Sequence, residues 1–145
     1  AADATDDGGS GGGGDEDAPE VCAVAALLNA HRFVVGVNFH AGFLIAVYPW
    51  DGRDDGGTGK TYCASPDDRP YRLLARTYAS HNGDLQREPS RPPSPPIGHP
   101  DHGIINGCEM FPAYGTLSDY DYALSASHTL HLTFEVSNVK NPTPP

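Results

Sequence analysis

The sequence predicts an α/β fold, a mixed and largely parallel sheet flanked by helices. Three observations predict it. Val21, Val24, Ala25 and Leu28 recur at helical spacing directly ahead of a nearly unbroken apolar run from Phe33 to Tyr48. A helix feeding a continuous apolar strand is the signature of a buried parallel layer. A second helical stripe follows at Tyr71, Leu74, Ala75 and Tyr78, and the last element alternates strictly: Leu130, Leu132, Phe134 and Val136 against Thr129, His131, Thr133 and Glu135.

Bulk properties set the frame. The 145 residues suit one domain. A net charge of -10 argues against nucleic acid, whose phosphates demand a basic face. Seven of the 19 acidic residues lie in the first twenty, so much of that charge belongs to a tail. No apolar run is long enough to span a bilayer, and no basic-then-apolar leader stands at the start. The chain begins at Ala1, as a mature product or a fragment does. Cys22, Cys63 and Cys108 permit one disulfide plus a thiol, or three thiols.

In chain order, residues 1–16 are acidic, Gly-rich and without any apolar side chain larger than Ala, which predicts a flexible tail or loop. Asp17 with Glu20 has capping-box spacing, and Pro19 suits a first turn, so a helix should run from there to about Asn29. Cys22 lies beside its apolar stripe. The stretch 33–51 then reads as a buried strand, a turn at Gly42, and a second apolar strand closed by Pro49. Residues 51–61 are a polar loop. Asp67 or Asp68 caps the next helix, with Pro70 in its first turn and Asn82-Gly83 as its stop. Six prolines between 86 and 102 predict a stiff surface loop. Residues 103–107 form a short strand and turn. A long loop leads to a helix capped at Ser118-Asp119, with Tyr120, Ala123 and Leu124 on one side. The alternating strand 129–137 follows, and Pro142 closes a domain that began at Asp17, leaving 143–145 as a tail.

Two residues stand out chemically. His40 ends the first strand, where it either caps the strand or holds a metal or substrate. Glu135 sits within the last strand, either on a solvated face or as a partly desolvated base able to act on water. His31, His81, His99 and His102 fall at loop or element ends, where solvated histidine is the default. His128 and His131 do not share a helical face. The chain contains no HExxH, CxxC or HxxE, no GxSxG elbow and no phosphate-cradling glycine loop.

Several segments together resemble the zinc metallocarboxypeptidases, and within them the regulatory N/E-type branch. Asn38-Phe39-His40-Ala41-Gly42 and Val47-Tyr48-Pro49-Trp50-Asp51 match its strand and turn motifs. Pro66-Asp67-Asp68, Gly103-Ile104-Ile105-Asn106-Gly107, Ser118-Asp119-Tyr120-Asp121-Tyr122 and Phe134-Glu135-Val136-Ser137 follow in the family's order. The resemblance covers about residues 19–142. It implies a metallocarboxypeptidase-like fold present as its C-terminal half, and a zinc-dependent enzyme that removes C-terminal residues, with basic ones as candidates, from peptides or proteins outside the cell or in the secretory pathway.

Residue by residue, the resemblance makes His40 a zinc ligand, Glu135 the general base and Tyr48 a lining residue of the substrate cleft. Phe111 stands where the family has a tyrosine that grips the substrate carboxylate; Tyr114 is out of register. Ser118 replaces a glutamine at the specificity pocket and Thr116 a glycine nearby, with Asp54 or Asp55 as an alternative acidic partner. The family's HxxE ligands and its carboxylate-binding arginines fall upstream of these matches. The chain alone is therefore expected to be inactive, and the alternative reading is a non-catalytic remnant or binding module on the same fold.

Overall fold

The computed structural model describes residues 18–87 and 101–141. The tails at 1–16 and 143–145, the capping role of Asp17, His99 and most of the proline-rich segment lie outside the described residues. The elements are α1 (Pro19–Ala30), β1 (Val35–His40), β2 (Leu44–Tyr48), α2 (Asp68–His81), β3 (Ile104–Asn106), α3 (Gly107–Met110), α4 (Leu117–Ala123) and β4 (Leu130–Val136).

The strands form one mixed sheet in the order β1-β4-β2-β3. β1 runs parallel to β4 and β2 parallel to β3, while β2 and β4 are antiparallel. The α/β class is as the sequence predicts. Between β1 and β2 the chain reverses through Gly42, whose φ of 135° is closed to residues with side chains. The Gly42 N–H donates to the Ser137 carbonyl at 2.8 Å, which fixes the turn against the end of β4.

Alternation along the strands gives the sheet two faces. On the first, Leu44, Ala46, Tyr48, Ile104, Leu132 and Phe134 pack against Tyr71, Ala75 and Ala79 of α2. Tyr78 stacks on Phe134 with ring centroids 3.6 Å apart. The second face carries Ile45, Val47 and Ile105, covered by Phe43 and by Met110 of α3. His131, Thr133 and Glu135 share this face, but they are not solvated as one-sided alternation suggests: His131 and Glu135 are buried. β4 lies inside the sheet, paired along both edges, and its central position contributes to that burial.

Other elements depart from expectation for identifiable reasons. β1 is an edge strand rather than a buried one, and Phe39 is 68% exposed. Along α1 only Leu28 is buried; Val21, Val24 and Leu27 face outward because no described element packs over that stripe. The helix is tethered instead through Asn29, whose Nδ2 donates to the Tyr120 hydroxyl at 3.1 Å. Its Oδ1 accepts the Ala126 N–H at 2.9 Å. Asp67 sits at the N-cap of α2 without a capping bond, its carboxylate accepting the Tyr122 hydroxyl at 2.8 Å. The expected long loop after β3 contains the short helix α3. α4 is capped by Thr116, not Ser118, because the Ser118 and Asp119 side chains are engaged elsewhere; Leu124 is exposed, and Ser118 and Asp121 are its buried positions. His102, expected at a solvated end, is buried with Nε2 2.7 Å from the Leu85 carbonyl oxygen.

Gly107, where β3 becomes α3, has no room for a side chain. A Cβ there would lie 1.9 Å from Asp51 Oδ1. Gly107→Ala should therefore destabilise the fold by about 1–3 kcal/mol, the usual cost of overpacking a filled site. Urea unfolding measures it, and an unchanged midpoint would show that Asp51 moves aside freely.

Candidate active site

The parallel ladder between β1 and β4 sets the site. Its register makes His40 the direct partner of Glu135, with Asn38 opposite Thr133 and Gly36 opposite His131. Partners across a ladder point to one face, so the imidazole and the carboxylate stand side by side on the second face. His40 is exposed, whereas Glu135 is only 9% exposed. The Phe43 backbone N–H donates to the Glu135 carboxylate, but Oε2 is buried without a hydrogen-bond partner among the described residues. Burial raises the Glu135 pKa above the ordinary glutamate value, and the neighbouring His40 and the Phe43 N–H partly offset that rise. A buried carboxylate with a raised pKa and one free oxygen is chemically equipped to take a proton.

Two further polar atoms on this face, Asn38 Oδ1 and His131 Nε2, are also buried without a partner among the described residues. The other ring nitrogen of His131 lies 2.8 Å from Asp121 Oδ2, and Ser125 Oγ donates to Asp121 Oδ1 at 2.8 Å. This buried His–Asp pair fastens α4 to β4, a role the sequence did not signal.

A second constellation forms around Asp51, at the end of the stretch that follows β2. Its carboxylate is buried, and Oδ2 accepts the Ser118 hydroxyl at 2.5 Å. The Asp119 carboxylate receives the backbone N–H of Asp51 at 3.0 Å and of Gly52 at 2.8 Å. Burial pushes Asp119 up to about 6; the two N–H donors pull it down, and the Asp51 charge raises it further. Ser118 is 2% exposed, with its hydroxyl committed to Asp51. Asp55, one of the acidic partners expected for it, is instead engaged by Arg53 in an exposed ion pair. Sequence reasoning missed Asp51. Its signal was a charged residue directly after an apolar run, indistinguishable there from the start of the polar loop.

The remaining candidates separate. Phe111 follows Met110 at the end of α3 and is half exposed. Tyr48 lies on the opposite face from Glu135, because the register pairs Ile45 with Glu135 and Val47 with Thr133. It lines a cavity of about 310 Å³ with Tyr62, Arg72, Asp101, Ile104, Ile105 and Glu109. Burial and its contact with the Tyr62 hydroxyl, 3.5 Å away, push the Tyr48 phenol well above the usual range. The structure thus brings His40 and Glu135 together and leaves Tyr48 apart from them. No group of three His, Cys, Asp or Glu side chains able to hold a metal occurs among the described residues.

A mixed sheet with helices packed on it, and a histidine beside a desolvated glutamate at its strand ends, is an arrangement suited to hydrolytic chemistry. Comparison with known proteins defines the family. The family model for zinc carboxypeptidase matches residues 5–144, and the chain belongs to that family. It is 36% identical over 126 residues to carboxypeptidase SOL1 of Arabidopsis thaliana, a match covering 86% of this chain and 23% of that protein. Carboxypeptidase E of Caenorhabditis elegans is 34% identical over 128 residues, covering 86% of this chain and 27% of the relative. Carboxypeptidase M of Mus musculus is 35% identical over 130 residues, with the same shares. The chain therefore spans about a quarter of the length of these relatives.

The raised pKa of Asp119 makes a prediction about stability. Its folded value of about 6 exceeds the ordinary 3.8, so the folded state holds a proton that the unfolded state releases between these values. That contribution is fully present below about pH 4 and is lost as pH rises through about 6. Thermal melts across this range should show a downward slope that is shallower in Asp119→Asn; an unaltered slope would remove Asp119 as its source.

Proposed function

We propose that this chain forms part of the active site of a zinc carboxypeptidase, which hydrolyses the C-terminal peptide bond of peptides or proteins. The observation that carries the reading is the His40–Glu135 pairing on one sheet face, an exposed imidazole beside a buried carboxylate with one oxygen unpartnered among the described residues. His40 fits one ligand position of a zinc ion. The fit is partial, since a catalytic zinc site takes three protein ligands and the described residues assemble no such group. In this reading the other ligands come from further polypeptide of the same domain. Zinc, when bound, supplies Lewis-acid polarisation of the scissile carbonyl.

Glu135 takes the proton of the attacking water on its free oxygen and returns it to the leaving amine nitrogen. Its raised pKa brings the carboxylate closer to neutrality, where a base of this kind is most effective. Phe111 offers an exposed ring at the end of α3 without a phenolic hydroxyl for the substrate carboxylate. The buried negative charge at Asp51, next to Ser118, supports a preference for basic C-terminal residues better than the exposed Asp54 and Asp55. Tyr48 enters as a residue that supports the sheet from the far side. Under this reading the protein acts in the extracellular space or the secretory pathway on peptide C-termini. No helix among the described residues is long and apolar enough to cross a membrane.

A second reading, a non-catalytic binding module on the same fold, is favoured by Phe111 and by the commitment of the Ser118 hydroxyl to Asp51. The two readings separate in a polypeptide that carries this chain with the remaining ligands. There Glu135→Gln should lower kcat by roughly 10²–10⁴-fold, the usual range for losing a general base, while zinc content by metal analysis stays unchanged. Turnover that survives Glu135→Gln overturns the base assignment, and a wild type that binds zinc and peptide without cleaving selects the second reading. For the chain by itself, calorimetry at neutral pH should show no stoichiometric zinc. Tight binding abolished by His40→Ala would reveal a complete site within the chain.

A further inference from the structure

The three cysteines are thiols in this structure, and they are not equivalent. Cys22 is exposed on α1, Cys63 is half-buried in the segment ahead of α2, and Cys108 is fully buried in α3. Cys63 and Cys108 are held together through their backbones. The Trp50 N–H donates to the Cys63 carbonyl at 3.1 Å, and the Trp50 carbonyl accepts the Cys108 N–H at 2.9 Å. The Cys108 carbonyl in turn accepts the Thr61 N–H at 3.2 Å.

Asn106, two residues before Cys108, clamps Cys63 from both ends. Its Oδ1 accepts the Cys63 N–H at 3.0 Å and its Nδ2 donates to the Cys63 carbonyl at 3.1 Å. Asn106 is itself fully buried, so the clamp is rigid. The two thiol side chains meet across this frame, each within hydrogen-bonding reach of the other. Thr61, two residues before Cys63, bonds directly to Cys108, so the two cysteines stand on neighbouring segments, a setting in which disulfides form.

We propose that Cys63 and Cys108 are a disulfide-forming pair that, when oxidised, staples the segment ahead of α2 to α3. The oxidant is a low-molecular-weight disulfide of the glutathione type. The Cys63 thiolate, the more accessible sulfur, attacks it, forming a mixed disulfide and releasing one small thiol. The Cys108 sulfur then attacks the Cys63 sulfur, gives up its proton and expels the second small thiol. Two electrons and two protons pass from the protein to the small disulfide. Burial pushes the Cys108 thiol well above the usual range, with further contributions from Cys63, Asp119 and Asp51. Cys108 is thus slow toward dissolved reagents, and this order of attack follows. The staple would tie the segment carrying Cys63 to the α3 end that presents Phe111, and forming it gives up the hydrogen bond that the Cys108 thiol donates to the Gly52 carbonyl at 3.2 Å.

The test uses the Cys22→Ser chain treated with excess oxidised glutathione, quenched in acid and alkylated under denaturant. Alkylatable thiols should fall from two to none, a Cys63–Cys108 cross-linked peptide should appear by mass spectrometry, and the thermal midpoint should rise. Dithiothreitol should reverse all three. Cys108→Ala in the same background should stop at a glutathione adduct on Cys63. Two thiols remaining after oxidation would overturn the proposal, and so would a Cys63 adduct that persists while Cys108 is present.

Discussion

The parallel pairing of β1 with β4 is the constraint on which the rest depends. It joins residues 35–40 to residues 130–135, close to opposite ends of the described chain. It also puts β4 inside the sheet, with β2 antiparallel on its other side. Because side chains alternate, a slip of one residue would move Glu135 to the α2 face and Phe134 into its place. The Phe134 contacts with Tyr78 and Phe39 resist that slip. The aromatic packing that stabilises one face therefore aligns His40 with Glu135 on the other.

That second face is unfinished within the described residues. Asn38 Oδ1, His131 Nε2 and Glu135 Oε2 are buried there without partners. A buried polar group left unpaired costs about 1–3 kcal/mol, so three together approach the 5–15 kcal/mol by which a whole domain is ordinarily stable. Apolar surface is also left open elsewhere: Phe39, on the α2 face of β1, is 68% exposed, Val34 just before that strand is 80% exposed, and Leu27 on α1 is 51% exposed. An edge strand with this composition is a surface on which further protein packs. Relatives about four times as long have the polypeptide to cover it, which supports the proposed reading of a site shared with other segments of the same domain.

Much of the fold was legible because the signals were local and periodic. The alternation at 129–137, the helical stripe at 71–78 and the glycine turn after His40 each became the element expected. The layout of candidates was legible only through the ordered resemblance, since no spacing by itself relates His40 to Glu135 across 95 residues. What was not legible depended on neighbours far away in the chain. The start of α4 moved to Thr116 because Ser118 and Asp119 are drawn to Asp51 and Gly52. Tyr48 carries the right residue type in the right motif, but alternation along β2 turns it to the face opposite Glu135. The α1 stripe is correctly periodic, and periodicity says nothing about whether a partner is present to bury it.

The Asp51 cluster shows how chemistry and scaffold are tied here. One carboxylate accepts a buried serine hydroxyl and lies against a glycine that admits no Cβ. The other caps two backbone N–H groups of the same turn. Burial is the main reason Asp119 rises to about 6; its two N–H donors oppose the rise, and the nearby Asp51 charge adds to it. In the proposed reading, the buried Asp119 carboxylate, which costs the fold stability once it ionises above about pH 6, is a charge that a basic substrate side chain would offset. Ser118 and Gly107 are the residues that hold Asp51 in place.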